Sequence, residues 1–412
     1  MTQPQPHRIL YVGGSFGGMA SIREFIRLFK EAEVPSTKQI EIFLIEPRAG
    51  FINLLGIPRA VIDVDFARKT YMNAEKYNIN FSSVETSFPD VKEKILNAKC
   101  NEKLPENLKI HFIQGKCVSF VDDHTVDYQL EGDQATKVLK FDYCVFATGR
   151  RRKWPFDPVA LTEDQYADEM KKSKAQVDAA QTITVIGGGA LGIEIAGEVK
   201  ETYPEKKVVL VHPHPFVPPE IYASKNFKDK LADGLESSGV ELIFNTRIEK
   251  ELENGDLITT DGRTLKSDLN MWCNYHKNNI EPLLPVFQDS IELDRSEVIV
   301  DNRLLMKDHK NIFCVGDVIN ARIIKTCGGA WHQGEHVAKS LFNILVKDKE
   351  EYDCIDIDNW PKGMTIVVGT HICITQWNNI DDGKIVFNDP LTLKYYQDYG
   401  CTEQRERLNI DH

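Results

Sequence analysis

Two glycine clusters carry the chemistry-bearing pattern of this chain. The first, GGSFGG at 13–18, follows the apolar run ILYV and leads into apolar residues at helical spacing: Met19, Ile22, Phe25, Ile26 and Phe29. The second, GGGALG at 187–192, follows TITVI and leads into IEIAGEVKETY. A strand that ends in a glycine turn and enters a helix aims free backbone N–H groups and the positive end of the helix dipole at one point, where a pyrophosphate can sit. In the first cluster Gly13 permits the tight turn, Gly18 permits close helix–strand packing, and Gly14 and Gly17 fill the loop between. Ser15 stands where the fingerprint G-x-G-x-x-G has its second glycine, and serine is small enough to let a diphosphate approach. In the second cluster Gly187, Gly189 and Gly192 satisfy the fingerprint in full.

The strand that follows each cluster ends differently. IEIFLIE closes on Glu46, a carboxylate placed to accept from two ribose hydroxyls. KVVLV closes on HPHP, so His212 and His214 stand where an acid would select NADH. With no carboxylate there a 2′-phosphate is not repelled, and NADH and NADPH both stay open; the histidines read equally as turn residues. Two further strand ends hold small turns, Ala147-Thr148-Gly149 after FDYCVF and Gly316-Asp317 in NIFCVGD. Glu194 lies in the first turn of the second helix, either as a solvated acid or as a group beside reacting rings.

The elements that must position these residues repeat one grammar: strand, glycine turn, helix, strand. The fold class is α/β, with two Rossmann-like dinucleotide-binding domains and a small C-terminal α+β unit. The expected division is 1–155 with 288–346 as a discontinuous first domain, 156–287 as the second, and 347–412 as a cap or interface unit. RRRKWPFDP (150–158) reads as a crossover whose basic run is a solvated hinge face, followed by a charged helix over 162–179.

A net charge of -12 over 412 residues argues against nucleic acid as a partner. The nine cysteines (100, 117, 144, 273, 314, 327, 354, 373 and 401) form no C-x-x-C or C-x4-C pair and show no metal-site spacing, so free thiols and no metal are expected. No apolar run has the length of a membrane span, and no signal segment is evident. The expectation is a cytoplasmic monomer or homodimer, with peripheral membrane contact left open.

GGSFGG, Glu46, ATG, GGGALGIEIAGE and NIFCVGD, in this order, resemble the two-dinucleotide FAD/NAD(P)H oxidoreductases. LIEPRAGFINLLGIPRAV (44–61) looks most like the apoptosis-inducing-factor-like branch, near its ferroptosis-suppressing members and the type II NADH dehydrogenases. The resemblance spans roughly residues 8 to 345. It implies FAD in the first fold, NADH or NADPH as hydride donor in the second, and a quinone or similar small acceptor. The alternatives are a nucleotide-sensing interaction protein with slow turnover and a reductase of a small electron-carrier protein.

By the same resemblance Asp317 would accept from the flavin ribityl chain, and the helix beginning near Gly328 would face the ring. Arg59 would lie near the flavin and its pyrophosphate, or else in a surface salt bridge. Lys325 would lie near the ring edge, and His332 would move a proton or make a structural hydrogen bond. Two segments depart from the family pattern. LNMWCNYHKNN (269–279) replaces A-T-G-x-x-P-N, with Trp272 or Tyr275 as ring-stacking or rim residues, and GGAWHQGEHVA (328–338) keeps only Gln333 of a quinone-site motif.

Overall fold

The computed structural model describes residues 5–100, 103–220, 223–274, 277–360, 362–377 and 385–408. In chain order, β1 (His7–Val12) runs through the first glycine loop into α1 (Phe16–Glu31), followed by β2 (Ile40–Glu46). Then come β3 (Leu108–Asp122), β4 (Thr125–Leu130), β5 (Thr136–Lys140) and β6 (Tyr143–Phe146). A long helix α2 (Glu163–Ala179) leads to the second unit: β7 (Thr182–Ile186), α3 (Ala190–Thr202), β8 (Lys207–Val211), β9 (Glu241–Ile243) and β10 (Leu269–Trp272). The chain returns to the first sheet with β11 (Ile312–Cys314) and α4 (Cys327–Leu345). It ends in β12 (Met364–Val368), β13 (Ile372–Gln376), β14 (Ile385–Phe387) and the helices α5 (Pro390–Gln397) and α6 (Cys401–Arg407).

The first sheet has the order β11-β6-β1-β2-β3-β4-β5, and the part from β11 through β3 is parallel. The second has the parallel order β9-β8-β7-β10. In each, the strand entering the glycine loop is central, so the loop opens at the carboxyl edge where the sheet order reverses, the place where such sheets bind ligands. Side chains explain this arrangement directly. Leu10 and Tyr11 in β1 and Ile183 and Val185 in β7 are inaccessible to solvent, as strands covered on both faces require. The α1 stripe read from the sequence is buried, and Phe25 meets Phe342 of α4 at 6.1 Å between ring centroids.

Residues 52–71 leave the first unit's core. Ile52, Ile57, Phe66 and Tyr71 pack with Val185, Ile193 and Leu210 of the second unit and Ile366 and Tyr399 of the C-terminal unit. Residues 108–146 form β3 to β6, with β3, β4 and β5 an antiparallel meander. The two chain crossovers pair as a short antiparallel ribbon, Arg150–Arg151 with Lys277–Asn278.

Candidate functional site

At the first loop Gly13 has φ +103°, and a Cβ there would stand 2.5 Å from the Ala147 carbonyl oxygen. A Cβ on Gly18 would stand 2.0 Å from the Gly13 oxygen, so both positions require glycine. Ser15 is the N-cap of α1 in an extended conformation, and its hydroxyl makes no capping bond. The Gly14 N–H donates to Glu46 Oε2 at 2.8 Å, and the Arg48 N–H donates to Oε1 at 3.1 Å. Glu46 is buried; burial pushes its carboxyl up from the ordinary value, and Arg48 opposes the shift. The ATG turn abuts this loop, with the Ala147 N–H donating to Val12 O and Thr148 Oγ1 donating to Asn279 O.

The second loop repeats the construction. Gly187 has φ +113°, and a Cβ on Gly192 would stand 1.8 Å from the Gly187 oxygen. Where the first loop leans on Ala147, the second leans on Cys273 and Asn274, whose atoms lie 3.0–3.1 Å from a Cβ built on Gly187. Cys273 and Asn274 of the altered segment thus support the second loop as Ala147 supports the first. Trp272 turns to the rim: its Nε1 donates to Glu251 at 2.8 Å, and Lys153 Nζ lies 4.1 Å from the ring centroid. Tyr275 lies outside the described residues. The Gly188 N–H donates to His212 Nδ1 at 3.0 Å, matching the bond from Gly14 to Glu46.

Between the loops Asp317 pairs with Arg150 at 2.6 Å, and the Gly316 N–H donates to Gln333 Oε1 at 2.7 Å. The basic run is thus no solvated hinge face at Arg150 or Arg152. Burial lowers the Arg152 guanidinium from its ordinary value, with Asp317 opposing. Lys325 Nζ donates to Ile319 O and lies 3.9 Å from Glu297; burial brings its ammonium down to about 8. A Cβ on Gly334 would stand 2.2 Å from Gly17 O, so α4 crosses directly over the first loop. The Gly17–Gly334 crossing was not read from the sequence, because it joins residues far apart along the chain.

The remaining expected site residues divide. Glu194 sits beneath the C-terminal unit, with the Val367 backbone N–H bonded to its carboxylate; burial, then Glu198, pushes its carboxyl up to about 8. Arg59 is held elsewhere than at the first loop: it makes a two-pronged ion pair with Glu198, 3.1 Å from Nε and 2.8 Å from Nη2. Tyr399 Oη adds a third bond to Glu198 at 2.7 Å. That pair is 15% and 3% exposed, so it is a buried bridge and not the surface one considered from sequence. Glu198 and Tyr399 are the partners that sequence reading missed; only the AGE triplet pointed toward the first. His332 shows the second of its two expected roles, a hydrogen bond within its own helix. Its side chain is 63% exposed and pairs with Glu335 at 3.1 Å, because it lies on the solvent side of α4 while Trp331 and Gln333 face inward.

These residues fit dinucleotides. No atom lies within 4 Å of a Cβ built on Gly149, Gly189 or Gly328, so the ATG turn, the second loop and the start of α4 all border open space. Glycine loops at the carboxyl edges of two parallel sheets, each closed by a polar strand end, define a protein with two dinucleotide-binding folds. Residues 7–334 match the pyridine nucleotide-disulphide oxidoreductase family, and the chain belongs to it. It is accordingly an NAD(P)H-dependent flavoprotein oxidoreductase using FAD. Among the described residues no two of the nine cysteines form a disulfide. The chain is 26% identical over 401 residues to oxidoreductase OXR1 of Ajellomyces capsulatus, covering 89% of this chain and 80% of that protein. It is 25% identical over 356 residues to ferroptosis suppressor protein 1 of Mus musculus, covering 83% and 81%. Among solved structures, the sulfide:quinone oxidoreductase of Aquifex aeolicus superposes with a TM-score of 0.68 at 15% identity, covering 98% and 91%. No helix among the described residues is long and apolar enough to cross a membrane.

Proposed function

We propose that the first loop holds FAD, the second holds NAD(P)H, and electrons pass on to a quinone or comparable small planar acceptor. The observation that carries the assignment is the pair of loops with one geometry and two strand ends, Glu46 and His212. Gly13, Gly14, Ser15, Gly17 and Gly18 would cradle the FAD pyrophosphate, with Glu46 on the adenosine ribose, Ala147–Gly149 and Gly316–Asp317 bordering the cofactor. Gly187, Gly189 and Gly192 would cradle that of NAD(P)H. When bound, the flavin supplies hydride acceptance and stepwise electron release.

The chain's own contribution is placement and protonation. Glu194 lies on the helix that leaves the second loop and keeps its proton near neutrality, since its carboxyl is pushed up to about 8. In this reading it supplies a proton to the reduced acceptor. Lys325, brought down to about 8 by burial, tops the loop after Asp317 and adds positive charge near the start of α4. The Asp317–Arg150 pair fixes the carboxylate that would meet the ribityl chain.

Stopped-flow reduction of the purified protein's flavin by NADH and NADPH, followed by reoxidation with a panel of quinones, tests this reading. Rapid bleaching and quinone-dependent recovery are expected. Native protein without flavin would end the account, and recovery only with oxygen would end the quinone assignment. Acceptor reduction should weaken as pH rises past about 8, where Glu194 loses its proton, and Glu194→Gln should remove that limb.

A further inference from the structure

The second strand end holds a polar atom that nothing in the fold satisfies. His212 is 4% exposed, and its Nδ1 accepts from the Gly188 N–H at 3.0 Å. A ring nitrogen that accepts is unprotonated, so the proton of the neutral ring sits on Nε2, an assignment made from the hydrogen bond. Nε2 is buried and has no hydrogen-bond partner. A buried, unpaired N–H destabilises the fold unless something arrives to accept from it.

The first loop shows what normally stands here. Glu46 accepts from the Gly14 N–H and keeps lone pairs for further donors. A carboxylate suits the two hydroxyls of a plain ribose, because both can donate to it. It also repels a 2′-phosphate. His212 reverses this: it offers a donor where Glu46 offers an acceptor, and a 2′-phosphate consists only of acceptors.

The surroundings add positive charge. Arg247 acts on His212 as a neighbouring positive charge. Arg247 is held beside the strand end because the Thr246 N–H donates to His212 O at 3.0 Å. The His214 ring lies 5.2 Å from that of His212 and stacks on Phe216, whose face carries Lys228 Nζ at 3.8 Å. The acid on this side, Glu220, faces Lys228.

We propose that His212 Nε2–H and the Arg247 guanidinium form a 2′-phosphate subsite that makes the second loop prefer NADPH over NADH. The proposal rests on the reading that this loop holds NAD(P)H. A charge-assisted bond to phosphate is among the stronger hydrogen bonds, so a preference of at least about tenfold is expected.

Calorimetric titration of the purified flavoprotein with 2′-phospho-ADP-ribose and with ADP-ribose tests it without turnover. Wild type should bind the phosphorylated probe at least about tenfold more tightly. His212→Glu, which keeps an acceptor for the Gly188 N–H, should reverse that order. His212→Gln keeps both an acceptor and a donor, and should retain it. Arg247→Ala, an exposed position, should weaken the phosphorylated probe alone by about tenfold. Equal wild-type affinities, or a His212→Glu protein that still prefers the phosphate, would overturn the subsite. Binding of neither probe, with no flavin bleaching by either nucleotide, would instead overturn the reading of the loop itself.

Discussion

The two glycine loops are built alike and finished differently. Both use a glycine at positive φ, +103° and +113°, and both need a second glycine whose Cβ would strike the first one's carbonyl oxygen, at 2.0 Å and 1.8 Å. Both anchor the loop's second N–H on the strand-end side chain, at 2.8 Å to Glu46 and 3.0 Å to His212. The differences are Ser15 against Gly189 and a carboxylate against an imidazole. The backbone geometry is thus shared and the side chain at its edge differs; on the proposed reading that side chain selects the dinucleotide. The second site is also braced from outside: Glu198, on the helix leaving the second loop, is tied to Arg59 and Tyr399.

The hardest way to break the comparison is to fill the close approaches. Gly18→Val should abolish flavin retention while leaving the second unit able to bind nucleotide, and Gly192→Val should do the reverse. Flavin absorbance of the purified protein and nucleotide titration separate the two; loss of both functions in either variant would show that the sites do not act separately. Overpacking against backbone costs at least about 1–3 kcal/mol locally, and here the obstructing atoms cannot yield.

Next in size is the brace on the second helix. Arg59→Ala leaves Glu198 buried without its cation and should cost about 3–5 kcal/mol, read as a lowered denaturation midpoint. A loss below about 1 kcal/mol would mean the bridge behaves as an exposed one.

The strand ends should also differ in their pH response. Burial lowers His212 from 6.5 to about 4, so the unfolded chain takes up a proton in that window while the fold does not. Stability is therefore complete above pH 6.5 and declines as pH falls toward 4. His212→Gln should show a shallower acid decline in thermal midpoint. Glu46 has the opposite sign: its carboxyl is raised, so its contribution declines as pH rises above 4.5.

The smallest effect is expected at Ser15. Its hydroxyl makes no capping bond, so Ser15→Gly should change flavin affinity by no more than a few-fold, measured by apoprotein reconstitution. A larger loss would give the hydroxyl a direct role with the cofactor.

Much of this molecule was legible in the chain. Glycine spacing, the apolar runs before each loop and the Glu46 and HPHP strand ends depend on local backbone conformation and on period, both of which adjacent residues determine. The α1 stripe and the α/β fold class follow for the same reason. What tertiary structure alone decided involves partners distant in sequence. Arg59 was expected near the flavin or in a surface salt bridge, yet it meets Glu198 and Tyr399 in a buried one once residues 52–71 pack on the second unit. His332 lay in a suggestive motif, but the rotation of α4 turned it to solvent. Arg150 turned inward to Asp317. Gly334 acquired its meaning when α4 crossed Gly17, and His212 acquired its free N–H only when Gly188 claimed the other side of its ring. Sequence determined which groups were available, and the packing of distant segments determined which were already occupied.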